Sequence, residues 1–211
     1  MVTNRPRLAA GPQLPRLLGG ELCLDFLNTV DPRHAEDRAD YLTDYPALIR
    51  WAGHAGAIPS DIAGTLLRSA AEHPGRAEEV VRVAAGLREQ LYRGIRALLN
   101  APAMPGPSLE VLNDAIATAH SARELVPAAG PSMAWRWREP GRLDLPLLAV
   151  ALSAADLLTR GDLARVHECP GSDGCGWLFL DTSKSGTRRW CSMQVCGNRA
   201  KVRQHRMPAA P

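Results

Sequence analysis

Apolar positions recur at helical spacing along most of the chain. Between Glu78 and Leu99, the residues Val80, Val81, Val83, Ala84, Leu87, Leu91, Ile95, Leu98 and Leu99 share one broad stripe. That spacing predicts a long helix buried along one side. Leu147–Thr159 reads as a second strong helix, opened by Asp144-Leu145-Pro146 and ended at Gly161. Three shorter helices follow from their caps. One covers Tyr45–Ala55, with Pro46 in its first turn and Asp44 or Thr43 as cap. Another starts at Ser60, carries Ile62, Leu66 and Leu67, and stops at Pro74-Gly75. A third is capped by Ser108 and runs to about Ala122. Met133, Trp135 and Trp137 alternate with Ala134, Arg136 and Arg138, which predicts a strand or hairpin arm. Gly20–Asp31 is ambiguous. Leu22, Leu24 and Phe26 alternate as in a strand, whereas Leu22, Phe26 and Leu27 fit one face of a helix. The expected fold class is mainly α: a helical N-terminal domain with a short β element, then a small metal-bound C-terminal module of a short strand and a basic helix.

Composition narrows the class without changing it. The 211 residues are 45% apolar and 22% charged, which excludes global disorder and fits one or two domains. No run approaches the ~18 apolar residues of a membrane span. The first twenty residues lack the apolar core of a secretory signal. A cytoplasmic, membrane-free protein is therefore expected, in a compartment that disfavours disulfides. Residues 1–16 read as a loose segment rich in Pro and Arg, 17–165 as the helical domain, and 166–211 as the C-terminal module. Charge divides the same way. Past Asp181 there are seven cations and no acid, whereas residues 1–181 hold 18 cations against 22 acids. A basic tail on a mildly acidic body suggests a polyanion partner.

Four of the five cysteines lie in the last part of the chain. Five residues separate Cys169 from Cys175, four separate Cys191 from Cys196, and fifteen lie between the pairs. Two close pairs around a short insert are what a closed four-thiolate zinc site requires, and such a site has no open position for catalysis. Two disulfides, or an iron–sulfur cluster on the same ligands, are the alternatives. One structural Zn2+ per chain is the expected cofactor. Between the pairs, Trp177 and Phe179 point to one side of a strand and Leu178 and Leu180 to the other. Asp181, Thr182 and Ser183 then open a polar loop that turns at Gly186. Cys23, alone in an apolar run, is expected in the core.

The last helix is expected from about Met193 to His205, with Ser192 as its cap. Arg199, Arg203 and Arg206 recur on one face, Lys201 and His205 flank it, and Val195 and Val202 are placed to pack beneath it. With Lys184, Arg188 and Arg189 from the preceding loop, these cations form the expected nucleic-acid-binding set. Asn198 and Arg199 have a structural alternative, tying down carbonyls around the metal turn. DNA is the expected partner, and a homodimer fits half-site recognition. RNA is a third polyanion, and an acidic protein docked on a zinc-stapled module is the alternative function. In the body, Asp25, Asn28, Thr29 and Trp51 are grouped as a pocket for a small-molecule effector. Capping and internal hydrogen bonding are the other use of such polar groups. No nucleophile elbow, phosphate loop or paired-carboxylate signature is present, so an enzyme is not expected.

The run Trp177–Ser183, then Arg188-Arg189-Trp190-Cys191, then Cys196-Gly197-Asn198-Arg199 resembles the CGNR zinc-finger family. The family's first pair usually spans four residues, one fewer than here. Leu24–Val30, Leu48–Trp51, Leu87–Tyr92 and Leu152–Leu158 resemble, in order, the ABATE domain that precedes this finger. The resemblance implies a bacterial, stress-related transcription regulator whose finger binds DNA.

Overall fold

The computed structural model describes residues 14–206 except 102, 161, 172 and 173; the side chains of 162 and 204–206 are likewise outside the described residues. Most of the loose segment expected at 1–16, and the helix stop at Gly161, therefore lie outside them.

The ambiguous segment folds as a short helix, α1 (Leu22–Leu27), in the middle of the molecule. Cys23, Leu24, Phe26 and Leu27 are all fully buried, so helical spacing places apolar groups on every side of it. Helices α2 (Tyr45–His54), α3 (Ala63–Glu72), α4 (Pro74–Asn100), α5 (Gly106–Ser121) and α6 (Leu145–Thr159) pack around it. Asp44 caps α2 as expected, its carboxylate accepting the Ala47 N–H at 2.6 Å.

Two capping expectations are corrected. Ser60 does not cap α3; a turn carries the chain on to Ile62, which holds the N-cap position. Helix α3 stops at Glu72, just ahead of Pro74 as expected, and Pro74 also starts α4, at a first-turn position where its missing N–H costs nothing. Ser108 lies inside α5, buried, and its hydroxyl donates to Gln90 of α4 at 3.1 Å. The stripe on α4 is also narrower than its sequence suggests. Ala84, Leu87, Leu91 and Ile95 are buried while Val83 is exposed.

The tryptophan alternation forms strand β4 (Met133–Trp137), paired antiparallel with β3 (Arg123–Pro127), after the short pair β1 (Val30–Asp31) and β2 (Ala39–Asp40). Strands β5 (Val166–Glu168) and β6 (Leu178–Leu180) form the last ladder. Strand β6 alternates as expected and joins two cores. Leu178 and Leu180 enter the helical core, while Trp177 and Phe179 pack with the four cysteines. A π-helical turn (Met193–Gly197) then leads into α7 (Asn198–Arg206). Among the described residues, no helix is long and apolar enough to cross a membrane.

Candidate metal centre and basic helix

Cys169 follows β5, Cys175 precedes β6, Cys191 ends the polar loop and Cys196 sits in the π-helical turn. Their four sulfur atoms lie within 4.8 Å of one another. The Cys175–Cys191 and Cys191–Cys196 separations are 3.7 and 3.6 Å. A tetrahedral zinc with ~2.3 Å bonds to sulfur has sulfur–sulfur edges of about 3.8 Å. The cage therefore fits one ion. An iron–sulfur cluster, with several iron and sulfide ions, needs a wider one. No sulfur pair is at disulfide distance, and all five cysteines are free thiols. The longer first turn still brings Cys169 and Cys175 to the same centre. Cys23 is not part of it: burial pushes its thiol up to about 12, and it is a core residue.

The loop between the cysteine pairs is closed from within. Asp181 is buried and accepts the N–H groups of Ser183 and Arg188 at 2.8 and 2.7 Å. Hydrogen bonding from Ser183 first, then Arg188, holds its carboxyl down to about 2. Ser192 caps the π-helical turn by accepting the Val195 N–H at 3.3 Å.

The body grips this centre along one face. Trp177 donates its indole N–H to the Val30 carbonyl at 2.9 Å. The N–H groups of Arg33 and His34 donate to the carbonyls of Cys175 and Gly174, each at 2.9 Å. Tyr92 donates to the Gly176 carbonyl at 2.7 Å, and Glu168 pairs with His34 and Arg96. Gly176 sits at φ 61°, and a Cβ there would lie 2.5 Å from the His34 ring, so this contact demands glycine. Glu168, Tyr92 and His34 were not singled out as site residues in the sequence, because their partners are 58 to 134 positions away.

The pocket residues are placed differently from expectation. Asn28, Thr29 and Trp51 are 0% exposed, and Asp25 is 9% exposed, so they share no opening to solvent. Asn28 instead grips β6: its amide donates to the Leu178 carbonyl at 2.8 Å, and its carbonyl accepts the Leu178 N–H at 3.0 Å. Thr29 donates to the Phe26 carbonyl and accepts from buried Arg88. Trp51 packs against Phe26 with ring centroids 5.4 Å apart.

Asp25 accepts the Gly19 N–H at 2.7 Å, and burial raises its carboxyl pKa from 3.8 to about 6. The folded chain then keeps this proton to a higher pH than the unfolded chain does. Stability present below about pH 4 is lost as pH rises through about 6, by up to about 3 kcal/mol. Asn keeps the acceptor and removes the charge. Asp25→Asn is therefore expected to melt higher than wild type at neutral pH and alike at about pH 4. Melting curves across this range check it, and parallel pH profiles for the two proteins would refute it.

Of the cations, Lys184, Arg189, Arg199, Lys201 and Arg203 are exposed. Arg188 is turned inward. Its guanidinium lies 4.5 Å from the Phe179 ring centroid and donates to the carbonyls of Trp190 and Cys191. Arg189 lies over Trp190. The side chains of His205 and Arg206 lie outside the described residues. Asn198 ties down a carbonyl, donating to Gln194 at 3.1 Å. Val195 packs on the cysteine cluster, but Val202 is 49% exposed, because α7 has left the finger core by that turn.

A helical body gripping a four-cysteine zinc centre with a basic helix beyond it defines a two-part zinc-finger protein. Residues 165–207 match the CGNR zinc finger. Residues 20–161 match the family described as "Putative stress-induced transcription regulator", ABATE. The chain belongs to the ABATE family and carries a CGNR zinc finger, which holds one structural zinc. A search of curated proteins finds no match.

Proposed function

We propose that the protein is a bacterial transcription regulator that binds DNA through residues 166–211, with residues 17–165 as its regulatory and structural body. The observation that carries this reading is the acid-free basic run past Asp181, part of it on a helix that starts at the zinc centre. Lys184, Arg189, Arg199, Lys201 and Arg203 contact phosphates, and Arg206 extends the stripe by helical periodicity. Arg188 serves the same surface by bracing the loop. The family descriptions support a regulator and not an enzyme, and four sulfur ligands leave the zinc no position for water or substrate. Reduced cysteines on zinc suit the cytoplasm.

Five phosphate contacts give a log–log salt slope of about −4.5 on duplex DNA. Arg203→Ala is expected to weaken binding on all sequences and flatten the slope by about one unit, with zinc content unchanged. Salt-titrated mobility shifts of the zinc-loaded chain measure both, and the stoichiometry of the shifted complex reads the expected homodimer. Wild type without salt-sensitive binding to any duplex would remove the DNA reading. The exposed basic face of the finger would then favour the alternative, an acidic protein docked on the zinc-stapled module.

A further inference from the structure

The β3–β4 hairpin is an unfinished sheet. Among the described residues no third strand joins it. Two strands alone are marginal in water, and a further strand is one of the things that stabilises them. The hairpin also exposes apolar groups: Leu125, Met133 and Trp135 are 55%, 57% and 56% exposed. Leu125 is directly opposite Trp135 in the ladder, and Pro127 opposite Met133, so all four lie on one face. The Arg123 guanidinium lies 4.1 Å from the Trp135 ring centroid and holds the ring in place.

The main-chain pattern shows which edge is open. The Ala128 N–H donates to the Ser132 carbonyl at 3.0 Å, and the Arg138 N–H to the Ala122 carbonyl at 2.9 Å. Bonded and non-bonded pairs alternate in an antiparallel ladder, so Val126–Ala134 and Glu124–Arg136 carry its internal bonds. The N–H and carbonyl groups of Met133, Trp135 and Trp137 therefore point away from β3. On β3 the outward residues are Arg123, Leu125 and Pro127, and Pro127 has no N–H to offer. The outer edge of β4 is the one with a complete set of donors and acceptors.

That edge is complementary to itself. Antiparallel pairing with β4 of a second copy, about a two-fold axis at Trp135, sets Trp135 opposite the partner's Trp135 and Met133 opposite the partner's Trp137. Every outward group is then used, with two bonds per facing pair and about six in all. The apolar rows become continuous across the axis. On the other face Ala134 meets the partner's Arg136, a small residue beside a long one. No like charges are directly opposed, and each Arg136 keeps its own Glu124 at 2.7 Å. From this match of open edge, apolar face and charge, we infer that the chain forms a homodimer through the outer edge of β4, building a four-stranded sheet. The homodimer expected of half-site recognition acquires its surface here. The contact rests on the hairpin alone and holds whether or not the finger binds DNA.

Sedimentation equilibrium of the full-length, zinc-loaded chain without DNA tests this. Wild type is expected to dimerise with a Kd below about 100 μM. Trp135 is exposed, so Trp135→Ala leaves the core and the zinc centre in place. It removes two rings from the middle of the contact and is expected to raise Kd at least about tenfold. Residue-resolved amide exchange reads the edge itself. The Met133 and Trp135 amides are expected to slow severalfold as chain concentration rises through Kd. Three results would each overturn the inference. One is a chain that stays monomeric at about 100 μM, as it would if the edge took a strand of another protein. The others are a dimer equally tight in Trp135→Ala, and a dimer whose Trp135 amide exchanges as fast as the monomer's.

Discussion

Cys191→Ser is expected to lose the zinc and to destabilise the helical body along with the finger. Binding free energy at a closed four-ligand site is folding free energy, of order 10 kcal/mol in zinc peptides. The finger's own apolar cluster is small: the four cysteines, Trp177 and Phe179, with Leu18, Trp190 and Val195 against it. A unit of this size does not order without its metal. The loss does not stop there. Val166, Leu178 and Leu180 are buried with α1, α4 and α6 in the main core, and the Leu178 backbone is held by Asn28. Once β6 is released, the inner face of α1 meets water. Zinc content should fall from one per chain to none. Amide exchange should quicken in residues 166–206 and also in 22–30. The body's melting temperature should drop by several degrees. A variant whose finger exchanges freely while α1 stays fully protected would show the two parts to be energetically independent.

Asn28→Ala is the second large effect, and it acts without touching the metal. The substitution leaves a buried N–H and a buried carbonyl of Leu178 unpartnered at once. Each such group costs about 1–3 kcal/mol, so the pair costs roughly 2–5 kcal/mol. In a chain of this length that lowers the melting temperature by about 5–15 °C. Asn28→Asp is expected to be no better. A carboxylate still accepts the Leu178 N–H, but it cannot donate to the carbonyl and brings a buried charge. Differential scanning calorimetry on zinc-loaded proteins measures both variants. A shift below about 2 °C for Asn28→Ala would mean that Leu178 finds other partners, and the latch would lose its energetic role.

Much of this architecture is legible from spacing alone. The stripe from Ala84 to Ile95, the Asp44 cap and the alternation of Trp177–Leu180 are local patterns. Each follows from the period of its own element. The errors are local patterns of equal strength that the fold uses otherwise. Ser60 and Ser108 have the chemistry of N-caps, yet one precedes an irregular turn and the other bonds a neighbouring helix. Side-chain hydroxyls serve either use, and only the packing of α3 and α5 decides. The segment Leu22–Leu27 carries apolar groups too densely for either period to stand out, and burial on all sides is the reason.

What the sequence by itself determined is the four-cysteine ligand set, with zinc as its expected ion; excluding a disulfide or a cluster took the sulfur geometry. Four cysteines in two close pairs bring their own turns, and the ion's tetrahedral preference supplies the long-range constraint that sequence lacks. The acid-free cationic run past Asp181 is equally plain, because charge needs no partner to be counted. What only the tertiary structure decided is the purpose of the buried polar groups. Asn28 and Leu178 are 150 residues apart, as are no two positions that a helical or strand period can relate. A carboxamide facing an open cavity and one gripping a distant strand look the same in sequence. They differ only in which backbone arrives opposite, and that is settled when both cores close on β6.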